Sequence, residues 1–226
     1  MKQIPVDKYN VAWFTISECI VRGEKVRALS LYRLLAHSID DAAFTHQLKG
    51  DILLAFEDNA AIELYEQAAA LYKKDDRLLE AVAVYEHLHH LEPENVGYLQ
   101  ALIDLYRHLR IDSKVRTYRK NEVHAMLQSG DLDEAHKLIE QFGKSCKSNE
   151  LIEEHRQLVH RLLQKENPPL DRICQHGKRV IDGLLLADMN KELQQFLSTI
   201  QVLNSDCYLQ LCEYLEVEYD YDLQTS

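Results

Sequence analysis

Residues 60–93 read AAIELYEQAAALYKKDDRLLEAVAVYEHLHHLEP. Tyr65, Ala69 and Tyr72 fall at helical spacing on one face, and so do Ala81, Tyr85 and Leu88 after the charged Lys73–Arg77 turn. The pattern predicts helices over 59–74 and 77–91, ended by Pro93-Glu94. A small residue four positions before a large one lets a neighbouring helix approach closely, and the large side chain then fills the gap further along.

The same small-then-large window recurs outside this stretch. It is found at Ala28–Tyr32, Ala61–Tyr65, Ala81–Tyr85 and Ala135–Ile139. Helical periodicity extends on both sides, predicting helices over 8–22, 25–38, 42–56, 95–109, 112–128, 131–143 and 149–165. Three more carry Ile173/Val180/Leu184, Leu193/Phe196/Ile200 and Leu209/Cys212/Leu215. No alternating, strand-like stretch interrupts them. Gly130-Asp131 is expected to end one helix and cap the next, with Glu134 completing a capping box, and Asn167-Pro168-Pro169 is the clearest break in the chain. Short connections imply antiparallel neighbours.

From Tyr65, Ala69, Tyr72, Ala81, Tyr85, Leu88 and Pro93, the stretch 60–93 resembles the tetratricopeptide repeat family. Weaker units match through Ile16, Cys19, Ala28, Tyr32 and Leu35, and through Val123, Met126, Ala135, Ile139 and Phe142, with Gly23 and Gly130 at the same turn position. Two departures leave the repeat phase open. Ala61 follows Ala28 by one repeat length, but Ala81 follows Ala61 too soon for a second, so helix 59–74 matches the second helix of one unit and the first of the next. Between 94 and 118 the signature lapses, with Lys114 and Tyr118 where the small-large pair is expected.

The fold class expected from this resemblance is all-α, with antiparallel helix pairs stacked as a right-handed superhelix, an α-solenoid. Residues 8–145 are expected to form repeats, 146–217 further helices (degenerate repeats or a helical cap), and 218–226 an acidic polar tail. The resemblance also implies a concave groove, to which Asn10, Trp13 and Ser17, Glu63, Glu66 and Ala70, and Thr117, Lys120 and His124 contribute. Members that clamp the C-terminal carboxylate of heat-shock chaperones use Lys, Asn and Arg at such positions. Glu63 and Glu66 would repel that ligand, so a basic or amphipathic segment is the better match.

Composition narrows the function classes. The 226 residues carry 26 Lys and Arg against 37 Asp and Glu, a net charge of −11, with 7 Gly and 4 Pro. So few chain-benders disfavour a sandwich or barrel, and the acidity disfavours general nucleic-acid binding. No Lys or Arg follows Lys191, so −7 of the charge lies in 192–226. Five cysteines without a regular framework predict a reducing compartment. The absence of a signal-like apolar stretch or a membrane-length run predicts a cytoplasmic protein that does not insert into a membrane.

No phosphate-cradling glycine loop, GxSxG or HExxH is found, so the chain is expected to be non-enzymatic and to need no cofactor. His87, His89 and His90 offer an alternative metal-binding or enzymatic reading, although their place late in a helix also suits imidazoles near its negative end. Cys207 and Cys212 read as core thiols. Arg107, Arg110, Lys114, Arg116, Arg119 and Lys120 form a basic run that reads as a solvated face, as a dock for an acidic segment or as a nucleic-acid contact, the last disfavoured by the overall charge and by the single interleaved aromatic, Tyr118. The acidic end, 213–222, reads as a frayed helix or as a contact for a basic surface, the basic run of this chain included. The leading expectation is a scaffold, adaptor or chaperone that binds a peptide or helix of another protein, with homo-oligomerisation compatible. A secretion-type chaperone or vesicle-fusion adaptor would share the architecture.

Overall fold

The structure is a computed structural model that describes residues 6–144 and 148–219, with the backbone alone at 6–10 and 148. The helices are α1 (Val6–Val21), α2 (Lys25–Ala36), α3 (Ala42–Leu54), α4 (Ala60–Lys74), α5 (Leu78–Leu91) and α6 (Val96–His108), followed by α7 (Asp112–Ser129), α8 (Leu132–Gly143), α9 (Ile152–Leu163), α10 (Leu170–Leu186), α11 (Asn190–Leu203) and α12 (Ser205–Tyr219). A 3-10 turn spans Ser148–Glu150. No strand occurs among the described residues, and none of their helices is long and apolar enough to cross a membrane. The fold is all-α, built from consecutively packed helices, and their bounds follow the sequence periodicity closely.

The chain divides into two compact units between Tyr118 and Arg119, inside α7. In the first unit the helix directions follow from its ion pairs. Lys25, at the start of α2, pairs at 2.6 Å with Asp58, just before α4; Arg77, just before α5, pairs at 2.6 Å with Asp41, the N-cap of α3. Like ends therefore meet at every second helix, so α2 and α4 are parallel, as are α3 and α5, and consecutive helices run antiparallel. Tyr98 of α6 donates to Glu66 of α4, and Tyr118 of α7 to Glu86 of α5. From α2 to α7 each helix thus meets both its chain neighbour and a helix two places away, the connectivity of a solenoid.

That connectivity accounts for the ambiguous repeat phase. Helix α4 packs against α3 and α5, and polar ties link it to α2 and α6. A small residue is needed at each close approach, whichever pair is taken as the unit. Ala61, Ala69 and Ala81 are fully buried. Gly50 of α3 is buried too, and a Cβ there would lie 3.0 Å from the Tyr65 ring.

The turns repeat as well. Gly23, Glu57, Asp76, Arg110 and Asp188 all take the left-handed conformation, and each closes its helix with the two backbone bonds of a Schellman motif. At Arg110, for example, its N–H donates to the Arg107 carbonyl and that of Ile111 to the Tyr106 carbonyl. Glu57 follows Gly23 by one repeat length, and Arg110 follows Asp76 by the same interval. Side chains occupy all of these positions but Gly23, even though they strain there. Gly130 is left-handed too, and Asp131 caps α8 by accepting from the Glu134 N–H at 3.1 Å, as the capping box predicts.

The second unit keeps the same spacing of ties. Arg161 of α9 bonds Gln128 of α7, Arg172 of α10 pairs with Asp133 of α8, and Tyr214 of α12 donates to Asp182 of α10. Its core is rich in leucine and isoleucine, with Ile139, Leu158, Ile173, Leu184 and Leu215 essentially buried. A Cβ at Gly177 would lie 2.9 Å from both methyls of Leu211, so α10 and α12 touch there. Cys19, Cys174, Cys207 and Cys212 are buried free thiols, and Cys146 lies outside the described residues. Helix α12 continues through Tyr219, into the expected tail; residues 220–226 also lie outside the described residues. The assignment of 8–145 to repeats and 146–217 to a cap concerns sequence repetition, a different criterion from this division by compactness.

Candidate functional site

Helix α1 turns Ile16 and Cys19 into the core and exposes much of the rest of its circumference. Val11 is 65%, Trp13 41% and Phe14 73% exposed. Ser17 is half-buried, and its hydroxyl donates to the Trp13 carbonyl. The side chain of Asn10 lies outside the described residues. Three large apolar side chains are thus exposed within one turn, with Trp13 and Phe14 adjacent in sequence.

On α4 the buried stripe of Ala61, Tyr65, Ala68, Ala69 and Tyr72 leaves Glu63, Glu66 and Ala70 exposed. Glu63 accepts from Gln67, and Glu66 accepts from the Tyr98 hydroxyl at 2.8 Å. Among the described residues neither carboxylate has a cationic partner. The same geometry raises the Tyr98 pKa, first through burial and then through its bond to the negatively charged Glu66. Thr117 is exposed, with its hydroxyl turned back to the Ser113 carbonyl. It belongs to the first unit, whereas Lys120 and His124 belong to the second. Lys120 is held by the Glu150 carbonyl and by Glu154, and His124 lies 3.4 Å from Gln128.

The basic run is largely compensated by residues remote in sequence or one turn away. Arg107 pairs with Asp104, Lys114 with Glu86, Arg119 with Glu122 and Lys120 with Glu154. Glu86 is the hub of the first unit's end. It accepts from the Tyr106 and Tyr118 hydroxyls, both at 2.7 Å, while the two rings stack at 5.6 Å and Lys114 lies over them. Burial raises the Glu86 pKa, but these hydrogen bonds and Lys114 outweigh it and the net shift is downward. The charge pattern that suggests a docking patch is, in part, the scaffold's own fastening.

His87, His89 and His90 do not converge. The His87 ring meets the edge of Tyr65, and His89 faces Tyr118 with a buried Nδ1 that has no hydrogen-bond partner. Burial, then His90, lowers the His89 pKa. The alternative metal reading of this triplet therefore has no three-ligand geometry behind it among the described residues.

Histidines from three other helices do meet, in the second unit. His136 Nδ1 of α8 lies 2.8 Å from His176 Nε2 of α10, and His176 Nδ1 lies 2.6 Å from His155 Nδ1 of α9. His176 is fully buried and His155 nearly so. Burial lowers the pKa of His155 to about 4, helped by Arg179, and that of His176 to about 3, helped by His155. Glu140, one turn after His136 and on the same face, brings its carboxylate into the group and accepts from Gln175 at 3.2 Å. The sequence pattern does not single these residues out. Its one legible trace is His136 and Glu140 at i and i+4; His155 and His176 lie on two further amphipathic helices, far from them in sequence. Elsewhere in this unit a cleft of about 630 Å³ is lined by Gln128, Arg156, His160, Arg161, Phe196 and Thr199 among others.

No protein-family description matches the chain, and no curated protein matches it. Among solved structures, that of Naa15/Naa10 bound to HypK-THB contains a chain that aligns at 16% identity, over 94% of this chain and 40% of that one, with a TM-score of 0.25. The present chain spans less than half the length of that neighbour, and a likeness at this TM-score supports no statement about fold or activity.

Proposed function

We propose that the chain is a non-enzymatic helical scaffold that binds a basic, amphipathic segment of another protein through the exposed aromatic side chains of α1 in its first unit, with the acidity of α4 in the neighbouring row of helices favouring a basic partner through its field. The observation that carries this reading is the exposed pair Trp13 and Phe14, on a helix whose other face is used by the core. Aromatic side chains left in water at the edge of a stack are typical anchors for a partner helix, because they offer large contact area at low entropic cost. Glu63 and Glu66, uncompensated on α4, set the preferred charge of that partner. They would select against an acidic one, such as a C-terminal carboxylate tail. Since Arg107, Lys114, Arg119 and Lys120 are already paired, an acidic partner finds less to hold there than the sequence suggests.

Affinity capture from native extract with the full chain, run in parallel with Trp13→Ala, Phe14→Ala and the double charge reversal Glu63→Lys/Glu66→Lys, tests this reading. The expected result is a partner retained by the unaltered chain, lost with Trp13→Ala and Phe14→Ala at unchanged thermal unfolding, and weakened by the charge reversal, which also removes the Tyr98–Glu66 bond and lowers the melting temperature slightly. A partner retained equally by all the variants would contradict it.

A further inference from the structure

We propose that His136, Glu140 and His176 form a binding site for a single zinc ion that clamps α8 to α10. The site is independent of the partner-binding reading and lies in the other unit.

The three donors suit the ion. One nitrogen from each imidazole and one carboxylate oxygen lie within 4.8 Å of one another. Two histidines and one carboxylate, with water in the fourth position, are a set that zinc accepts readily. Softer, thiolate-preferring ions would find no sulfur here, and calcium or magnesium would find too few oxygens.

The surrounding residues aim the donors. His176 has two ring nitrogens, and its Nδ1 faces His155 Nδ1 at 2.6 Å. If the shared proton sits on His176 Nδ1, the lone pair of Nε2 points outward, toward His136 and Glu140. His155 then acts as the positioning residue that fixes the tautomer of a buried ligand, the role such partners play around zinc. Gln175 supports Glu140 in the same way by donating to Oε1. Both ligands thus carry outer support, which three polar residues meeting by chance would not need.

Charge and access are also compatible. Arg172, one of the two cations of α10 that act on His176, is drawn off to Asp133. His136 and Glu140 are half-buried and open the way from solvent, while His176 forms the floor. The two facing imidazole nitrogens of His136 and His176 share a proton across 2.8 Å in the ion-free state. Bonds of about 2.0–2.1 Å to one ion require them to part by roughly half an ångström, a movement that the half-exposed His136 ring can supply by rotating. Binding would then shift the His136 proton from Nδ1 to Nε2, leaving the ring neutral, and replace one hydrogen bond with a cross-link between two helices.

The test is calorimetric titration of the chelator-treated full chain with zinc chloride, followed by thermal unfolding with and without zinc, and by visible spectroscopy with cobalt(II) as the coloured substitute. The expected results are stoichiometric binding of one ion, a raised melting temperature by mass action and tetrahedral cobalt bands. His136→Ala and Glu140→Gln, both at half-exposed positions where folding should survive, should each weaken binding more than about tenfold, and His155→Gln by about tenfold through loss of orientation. His124→Ala, on α7, should leave it unchanged. Absence of stoichiometric binding, or binding unaffected by both His136→Ala and Glu140→Gln, overturns the proposal.

Discussion

The two units share a packing register and differ in what fastens it. In residues 6–118 the ion pairs Lys25–Asp58 and Arg77–Asp41 are joined as ties between helices by phenol-to-carboxylate bonds: Tyr98 to Glu66, and Tyr106 and Tyr118 to Glu86. A tyrosine can bury its ring in the stack and still deliver its hydroxyl to a half-exposed acid, so packing and polar linkage are satisfied by one side chain. In residues 119–219 the phenol ties gather at Asp182, and the polar centre is a chain of imidazoles, two of them buried. One backbone arrangement therefore accepts two solutions, one that keeps its charges at the edge and one that keeps neutral titratable rings inside.

The difference should emerge most strongly with pH. Metal-free His155 and His176 have folded-state pKa values below the ordinary value of a histidine, so the unfolded chain binds the extra protons first. Stability is full above about pH 6.5 and falls as pH drops toward their folded values of about 4 and 3. The slope approaches about 1.4 kcal/mol per pH unit for each ring. Denaturant melts of chelator-treated protein between pH 7 and 4, with hydrogen exchange locating the opening, should show residues 119–219 failing first. Alkali does not share this bias, because raised phenol and thiol pKa values occur in both units. Tyr65, Tyr98, Tyr106 and Tyr118 have raised pKa values through burial and adjacent carboxylates, so the unfolded chain loses protons first above about pH 10 and residues 6–118 weaken as well. Acid opening that begins in the first unit would contradict this contrast.

Next in size is Ala81→Leu. Ala81 is fully buried on α5, and the added methylenes should cost about 1–3 kcal/mol in thermal or denaturant unfolding. A melting point unchanged by this substitution would mean that the small residues are not closing the stack. Glu86→Gln, which keeps the shape and removes the charge from two phenol bonds, should cost about 1–2 kcal/mol. Combined with Tyr118→Phe, it should lose less than the sum of the two single changes. Smallest is Arg110→Gly, at a left-handed turn. It should stabilise by about 1 kcal/mol or less, because glycine relieves the strain but loses more freedom on folding.

Much of the fold was legible, because helix existence rests on local periodicity. The break at Gly130, its Asp131 cap and the close approach at Ala61 and Ala81 can all be read from neighbouring residues. The turns at Glu57, Asp76, Arg110 and Asp188 cannot, since the backbone takes a glycine-like conformation without a glycine to announce it. The phase is obscured for a physical reason, as α4 has equivalent duties toward the helices on either side of it. The run 107–120 reads as a patch because Glu86 and Glu154, which neutralise part of it, lie on other helices far off in the sequence. The histidine cluster is hidden most deeply. His136, His155 and His176 come from three helices and acquire meaning only when the stack brings them together.

The sharpest measurement uses the protein's single tryptophan, Trp13, as its own reporter. Its emission is followed while the full chain is titrated with an amphipathic leucine-lysine helical peptide and, separately, with its leucine-glutamate analogue. A scaffold that receives basic amphipathic segments at α1 should give a saturable blue shift with the lysine peptide alone, weakened by salt and by Glu63→Lys/Glu66→Lys. Unchanged emission, or an equal response to the acidic peptide, would contradict it.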